Sequence, residues 1–155
     1  MLHITFVCYG NICRSPMAAC IFRDLAEKEG LGERVLCDSA GISDEMAGSP
    51  VAQDANSELR RHGLDASEHR ARKLLSTDYE TTDYFLCMDL DTLYRTQLFF
   101  HGDPMHKVGF LMGYADEPAE IEDPYFTGEF AFVYEQLETG CRAFLDALRG
   151  SALPD

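Results

Sequence analysis

The chain contains no tryptophan, and no stretch of it approaches the roughly 18 apolar residues that a membrane-spanning helix requires. Its first residues lack the basic region and cleavage site of a secretory signal, so the expectation is a cytoplasmic protein that engages no membrane. Positive charge is scarce: 13 Lys and Arg stand against 27 Asp and Glu, a net charge of −14. Without an extended basic stripe, nucleic acid is excluded as a partner. Paired C-x2-C motifs are missing, and no cluster of His and carboxylates has ligand spacing. Neither a disulfide framework, nor a metal, nor any cofactor is therefore expected. The six cysteines, at positions 8, 13, 20, 37, 87 and 141, read mostly as small buried hydrophobes. Repeats, linkers and low-complexity segments are also lacking, which leaves a single domain over residues 1–155.

What is present is concentrated between Val7 and Pro16, V-C-Y-G-N-I-C-R-S-P. The apolar, β-branched segment Leu2 to Cys8 predicts a buried strand, and a helical rhythm from about Pro16 to Glu29 opens with Ser15 as N-cap and Pro16 at the first helical position. Cys8 then stands at the carboxyl end of a strand, facing the positive end of a helix. Gly10 and Asn11 tolerate positive φ, so the backbone N–H groups of Tyr9, Gly10, Asn11, Ile12, Cys13, Arg14 and Ser15 can wrap an anion, and the Arg14 fork matches two phosphate oxygens. Helix N-termini and guanidinium groups favour thiolates. Cys8 is thus a candidate nucleophile toward phosphorus, with Ser15 placed to hydrogen-bond its sulfur.

Further strands are expected at about Arg34 to Ser39, Tyr84 to Met88 and Lys107 to Leu111. They alternate with helices at about Val51 to His62, Thr77 to Thr82, Asp89 to Phe100 and Glu129 to Arg149. Gly113 to Phe126 is acidic and broken by proline, and reads as a loop. This alternation implies an α/β fold, a doubly wound parallel sheet with helices on both faces. Arg60, Arg61, Arg70, Arg72 and Lys73 fall in one short stretch. They either line the approach to the Cys8 loop and offset the global repulsion of an anionic substrate, or form a solvated basic face.

The loop Cys8 to Pro16 resembles the signature of the low molecular weight protein tyrosine phosphatases. The likeness extends in order through Asp38-Ser39-Ala40-Gly41, His69-Arg70-Ala71-Arg72, Cys87-Met88-Asp89 and Glu122-Asp123-Pro124-Tyr125. It implies a four-stranded flavodoxin-like sheet, phosphotyrosine proteins or peptides as substrates, and inorganic phosphate as product. A monomer or weak dimer is expected. It also implies roles: Cys8 as nucleophile through a cysteinyl-phosphate intermediate, Arg14 as phosphate clamp, and Asp123 as general acid and then base. Asn11 would hold a strained turn with Ser39 and His62, and Cys13 would pair reversibly with Cys8 in a protective disulfide.

Selectivity for an aryl phosphate requires a slot about one ring wide. Tyr125 is expected to form one wall and Tyr9 the mouth. Where the family often has an aromatic residue, this chain reads Ile42-Ser43-Asp44-Glu45-Met46, so Glu45 and Met46 stand as the other wall. Two rival functions remain: arsenate reduction on the same scaffold, with Cys87 as the relay thiol, and a non-catalytic phosphopeptide-binding module.

Overall fold

Leu2–Cys8 forms the first strand, β1, and alternates between two apolar layers. Ile4, Phe6 and Cys8 enter a large cluster on one face of the sheet, while Val7 enters a smaller one on the other. The computed structural model describes residues 1–151, and the last four residues of the expected 1–155 domain lie outside them. After β1 come helix α1 (Arg14–Lys28), a 3-10 turn (Gly32–Arg34) and β2 (Val35–Gly41). α2 (Gln53–Arg61), the single turn α3 (Asp78–Thr81), β3 (Tyr84–Cys87), α4 (Leu90–Phe99) and β4 (Val108–Phe110) follow. A 3-10 turn (Leu111–Tyr114), the single turn α5 (Pro124–Thr127) and the long α6 (Phe130–Gly150) complete the order.

The four strands are parallel and ordered β2-β1-β3-β4. Connections leave β1 in one direction and return to β3 in the other, which makes the carboxyl ends of β1 and β3 the switch point where such sheets take ligands. Cys8 closes β1 there, and Asp89 lies two residues beyond the end of β3. Met17, Ile21 and Leu25 of α1 share one buried face, as their spacing predicts, and meet Val133, Leu137, Cys141, Phe144 and Leu148 of α6 in the larger cluster. Phe22 packs between Phe6 and Phe144 at ring separations of 5.9 and 5.6 Å. Burying each such ring contributes about 1.5–3 kcal/mol. Phe85, Cys87 and Phe100 fill the opposite face with Val7.

The expected parallel doubly wound sheet is present, and two local readings are corrected. α1 begins at Arg14 with Cys13 as its N-cap, not at Pro16 with Ser15 as cap, because the Ser15 hydroxyl is held by the Cys8 loop. The stretch expected to be a loop from Gly113 to Phe126 ends inside α5, whose N-cap is Asp123 and whose first residue is Pro124. Among the described residues no helix is long and apolar enough to cross a membrane.

Candidate active site

The loop between β1 and α1 is built around Asn11. This residue is fully buried and has a φ of 61°, a left-handed conformation that asparagine tolerates better than most residues. Its amide nitrogen donates to Ser15 Oγ at 2.8 Å and to Ser39 Oγ at 3.0 Å, and its Oδ1 accepts from the Arg72 backbone N–H at 2.9 Å. Its carbonyl oxygen lies 2.7 Å from His69 Nε2. The Asn11 backbone N–H donates to Cys8 Sγ at 3.3 Å, and Ser15 Oγ lies 3.0 Å from the same sulfur. Since Ser15 Oγ accepts from Asn11, its own proton is available to the sulfur. Two donors therefore converge on Cys8, which is 3% exposed. The N–H groups of Gly10, Ile12 and Cys13 donate to no acceptor among the described residues.

Arg14 opens α1 with its guanidinium buried. Its Nη1 donates to Asp89 Oδ2 at 2.7 Å and to the Ile121 carbonyl at 3.0 Å, while Nη2 lies 3.6 Å from Asp123 Oδ2. Burial works against the Arg14 charge, but the field of Cys8 and the Asp89 hydrogen bond outweigh it and hold the group above its ordinary value. Burial likewise opposes the Asp89 charge, yet hydrogen bonds from Thr92 and Arg14 keep its carboxyl below the usual range. Asp89 is also the N-cap of α4, accepting from the Thr92 N–H at 2.7 Å, so one carboxylate fixes both a helix start and the Arg14 fork.

Cys8, Tyr9, Gly10, Ile12, Cys13, Arg14, Glu45, Met46, Asp123, Tyr125 and Phe126 line one cleft of about 160 Å³. Asp123 reaches it from the turn before α5, where its Oδ1 accepts from the Tyr125 N–H at 3.1 Å. Tyr125 and Phe126 meet edge-on at 5.3 Å and form an aromatic side of the cleft. Across from the loop backbone, Tyr9 Oη donates to Glu45 Oε1 at 3.1 Å. Cys13 is buried, and burial followed by the proximity of Cys8 pushes its thiol up to about 12.

The structure gathers the expected set with two exceptions. His62 does not reach Asn11: it lies 3.0 Å from Glu58 Oε2 and stacks on Tyr134 of α6 at 3.7 Å, because α2 packs its last turn against α6. The imidazole at Asn11 is that of His69, in the irregular segment after α2. The basic stretch does not line the cleft either. Arg60 pairs with Asp65, Arg61 with Glu58, and Arg72 with Asp38 and Asp78, while Arg70 donates to the Ser67 and His69 carbonyls and Lys73 sits over the Phe99 ring. His69, Asp89 and Phe126 carry no role in the sequence reading, and Arg72 enters it only as part of the basic stretch, not as a backbone donor to Asn11. His69 and Arg72 share one motif block, which was the available signal. Cys87, the relay thiol that arsenate reduction would use, is fully buried in β3, and burial pushes it up to about 12.

Residues 3–152 match the family model described as low molecular weight phosphotyrosine protein phosphatase. The chain is 36% identical over 151 residues to the low molecular weight protein-tyrosine-phosphatase YfkJ of Bacillus subtilis, covering 96% of this chain and 97% of that protein. It is 38% identical over 148 residues to the human low molecular weight phosphotyrosine protein phosphatase, covering 92% and 93%. The crystal structure of YfkJ superposes with a TM-score of 0.91 at 35% identity, covering 97% of this chain and 96% of that one. A Drosophila arginine phosphatase gives a TM-score of 0.88 at 29% identity, covering 98% and 100%. A thiol, an arginine fork and a carboxyl group line one cleft, and the chain belongs to the low molecular weight protein tyrosine phosphatases, a family of hydrolases.

Proposed function

We propose that the cleft hydrolyses phosphotyrosine monoesters through a cysteinyl-phosphate intermediate. Cys8 Sγ attacks phosphorus, and Arg14 with the loop N–H groups holds the three non-bridging oxygens as charge redistributes. Protonated Asp123 gives its proton to the departing phenolate. The resulting carboxylate takes a proton from water as that water attacks phosphorus and releases Cys8. Ser15 and Asn11 donate to the sulfur in both steps, which favours the thiolate as nucleophile and as leaving group. Phosphopeptides and phosphoproteins are the proposed partners. Cys13 is proposed as the thiol that closes a disulfide on oxidised Cys8.

The observation that carries this reading is the convergence of Cys8, Arg14 and Asp123 on one cleft beside Tyr125 and Phe126, rings that suit an aryl phosphate. The test measures phosphate release from phosphotyrosine, phosphoserine and phosphoarginine peptides in chelator and reductant. Turnover selective for tyrosine is expected, abolished in Cys8→Ser and slowed about 10²–10⁴-fold in Asp123→Asn. Faster release from phosphoarginine would overturn the tyrosine assignment. Phosphate binding with no turnover would leave a binding module.

A further inference from the structure

The charge at the mouth of the cleft has one sign. Glu45 and Asp123 line it, exposed Asp44 precedes Glu45, and Asp54 lies close enough for its field to act on Cys13. Arg14 is the one cation among the lining residues, and it is buried, with Asp89 and the phosphate position as its partners. The five cations between Arg60 and Lys73 are engaged elsewhere, as described above. Glu45 is exposed, and no described lysine or arginine pairs with it. The Tyr9 hydroxyl holds its Oε1 at 3.1 Å and so restrains the carboxylate at the rim.

A phosphorylated ring that delivers its phosphate to Cys8 lays the neighbouring residues of the same peptide against this rim. A flanking Asp or Glu would then sit beside Glu45 with no cation between them, a juxtaposition that interfaces disfavour. A flanking Lys or Arg would find a carboxylate already oriented, which reduces the side-chain entropy lost on pairing. We propose that Glu45 is a specificity residue that selects phosphotyrosine next to lysine or arginine. The proposal rests on the phosphatase reading above and names the substrate class of the same cleft. The overall charge of −14 acts in the same direction, drawing basic peptides to the molecule and slowing the approach of acidic ones.

The test compares two phosphotyrosine peptides, identical except for Arg or Glu on either side of the phosphotyrosine, by kcat/KM in wild type, Glu45→Gln and Glu45→Lys. Wild type should prefer the Arg peptide by about fivefold, the size of one well-placed surface pair. Glu45→Gln should lower the ratio to the small share owed to the overall charge, Glu45→Lys should lower it further, and high salt should compress it. A wild-type ratio near one, or a ratio that Glu45→Gln leaves unchanged, overturns the proposal. Wild-type turnover of p-nitrophenyl phosphate, which has no flanking residues, separates the two readings. If that ester is hydrolysed and the peptide ratio ignores Glu45, only the specificity proposal falls. If it is not hydrolysed, the phosphatase reading falls, and the affinities of the two peptides for Cys8→Ser and Cys8→Ser/Glu45→Gln decide the charge preference directly.

Discussion

Cys13 sits in the same loop as the proposed nucleophile but in a different chemical condition. With its thiol pushed up to about 12, it is almost wholly protonated near neutral pH. In the proposed protection, the Cys8 thiolate attacks peroxide to give a sulfenic acid and hydroxide. Cys13 sulfur then displaces hydroxide from that sulfenic acid, so that the pair is oxidised and the peroxide reduced to water. The second step needs the Cys13 thiolate, whose fraction rises roughly tenfold per pH unit below its pKa. The sign is therefore definite: closure of the Cys8 to Cys13 disulfide accelerates as pH rises, while at lower pH the sulfenic acid lives longer and over-oxidises. Intact-mass spectrometry after a peroxide pulse should show loss of two hydrogens, growing with pH in wild type and missing in Cys13→Ser. The same species in Cys13→Ser would assign the bridge to another thiol. The sequence made the neighbouring thiol visible by spacing alone, whereas its burial, which sets the pH range, depends on how α1 packs. The supporting histidine was misread for a related reason. His62 and His69 both follow α2 closely in the chain, and only the packing of α2 on α6, with His62 stacked on Tyr134, sends His69 to Asn11.

Elements with a strong local pattern were legible nearly to their ends. β1 occupies the expected Leu2–Cys8, and Gly63, with a φ of 80°, follows α2 as its helix-ending glycine. Two short features escaped for want of pattern. Asp123-Pro124 carries an N-cap followed by proline at the first helical position, but a single turn has no periodicity to announce it. Ser15 looked like a cap because capping and thiol support call for the same hydroxyl. The junction of β2 with the Cys8 loop was legible only as a motif block, yet backbone meets backbone closely there. A Cβ at Gly41 would lie 2.8 Å from the Tyr9 carbonyl oxygen and 3.3 Å from both the backbone N and Cβ of Asn11. The Ile42 N–H donates to the Cys8 carbonyl at 3.1 Å and the Ser43 N–H to the Tyr9 carbonyl at 3.1 Å, so the loop has no slack to retreat. Gly41→Ala is accordingly expected to cost about 1–3 kcal/mol in urea denaturation and to lower kcat by displacing Tyr9 and Asn11. Gly150→Ala, with nothing within 4 Å of the added methyl, serves as the control that leaves both unchanged. A Gly41→Ala protein with wild-type turnover would mean that this contact does not hold the loop.

At the scale of the whole molecule, charge is the property that the sequence displayed most openly and the fold used least evenly. The cations are largely consumed in pairs such as Arg72 with Asp38 and Asp78, or Arg142 with Glu138, which leaves a large unpaired excess of carboxylates on the surface. Self-repulsion of that excess destabilises the compact state and acts over distances comparable with the Debye length, about 10 Å at 0.1 M salt. Exposed ion pairs contribute only about 0–1 kcal/mol each and are weakened by the same salt. With a net charge of −14 the repulsive contribution prevails, so raising ionic strength from a few millimolar to several tenths molar should stabilise the fold. A gain of about 1 kcal/mol would appear as a Tm increase of roughly 2–4 °C for a chain of this size. The proposed selection of basic peptides by Glu45 depends on an attraction that salt weakens, so the same titration should reduce kcat/KM for the Arg peptide as Tm rises. A flat or falling Tm would show that the ion pairs outweigh the excess carboxylates, and the basic segment between Arg60 and Lys73 would then be the place to look for their effect.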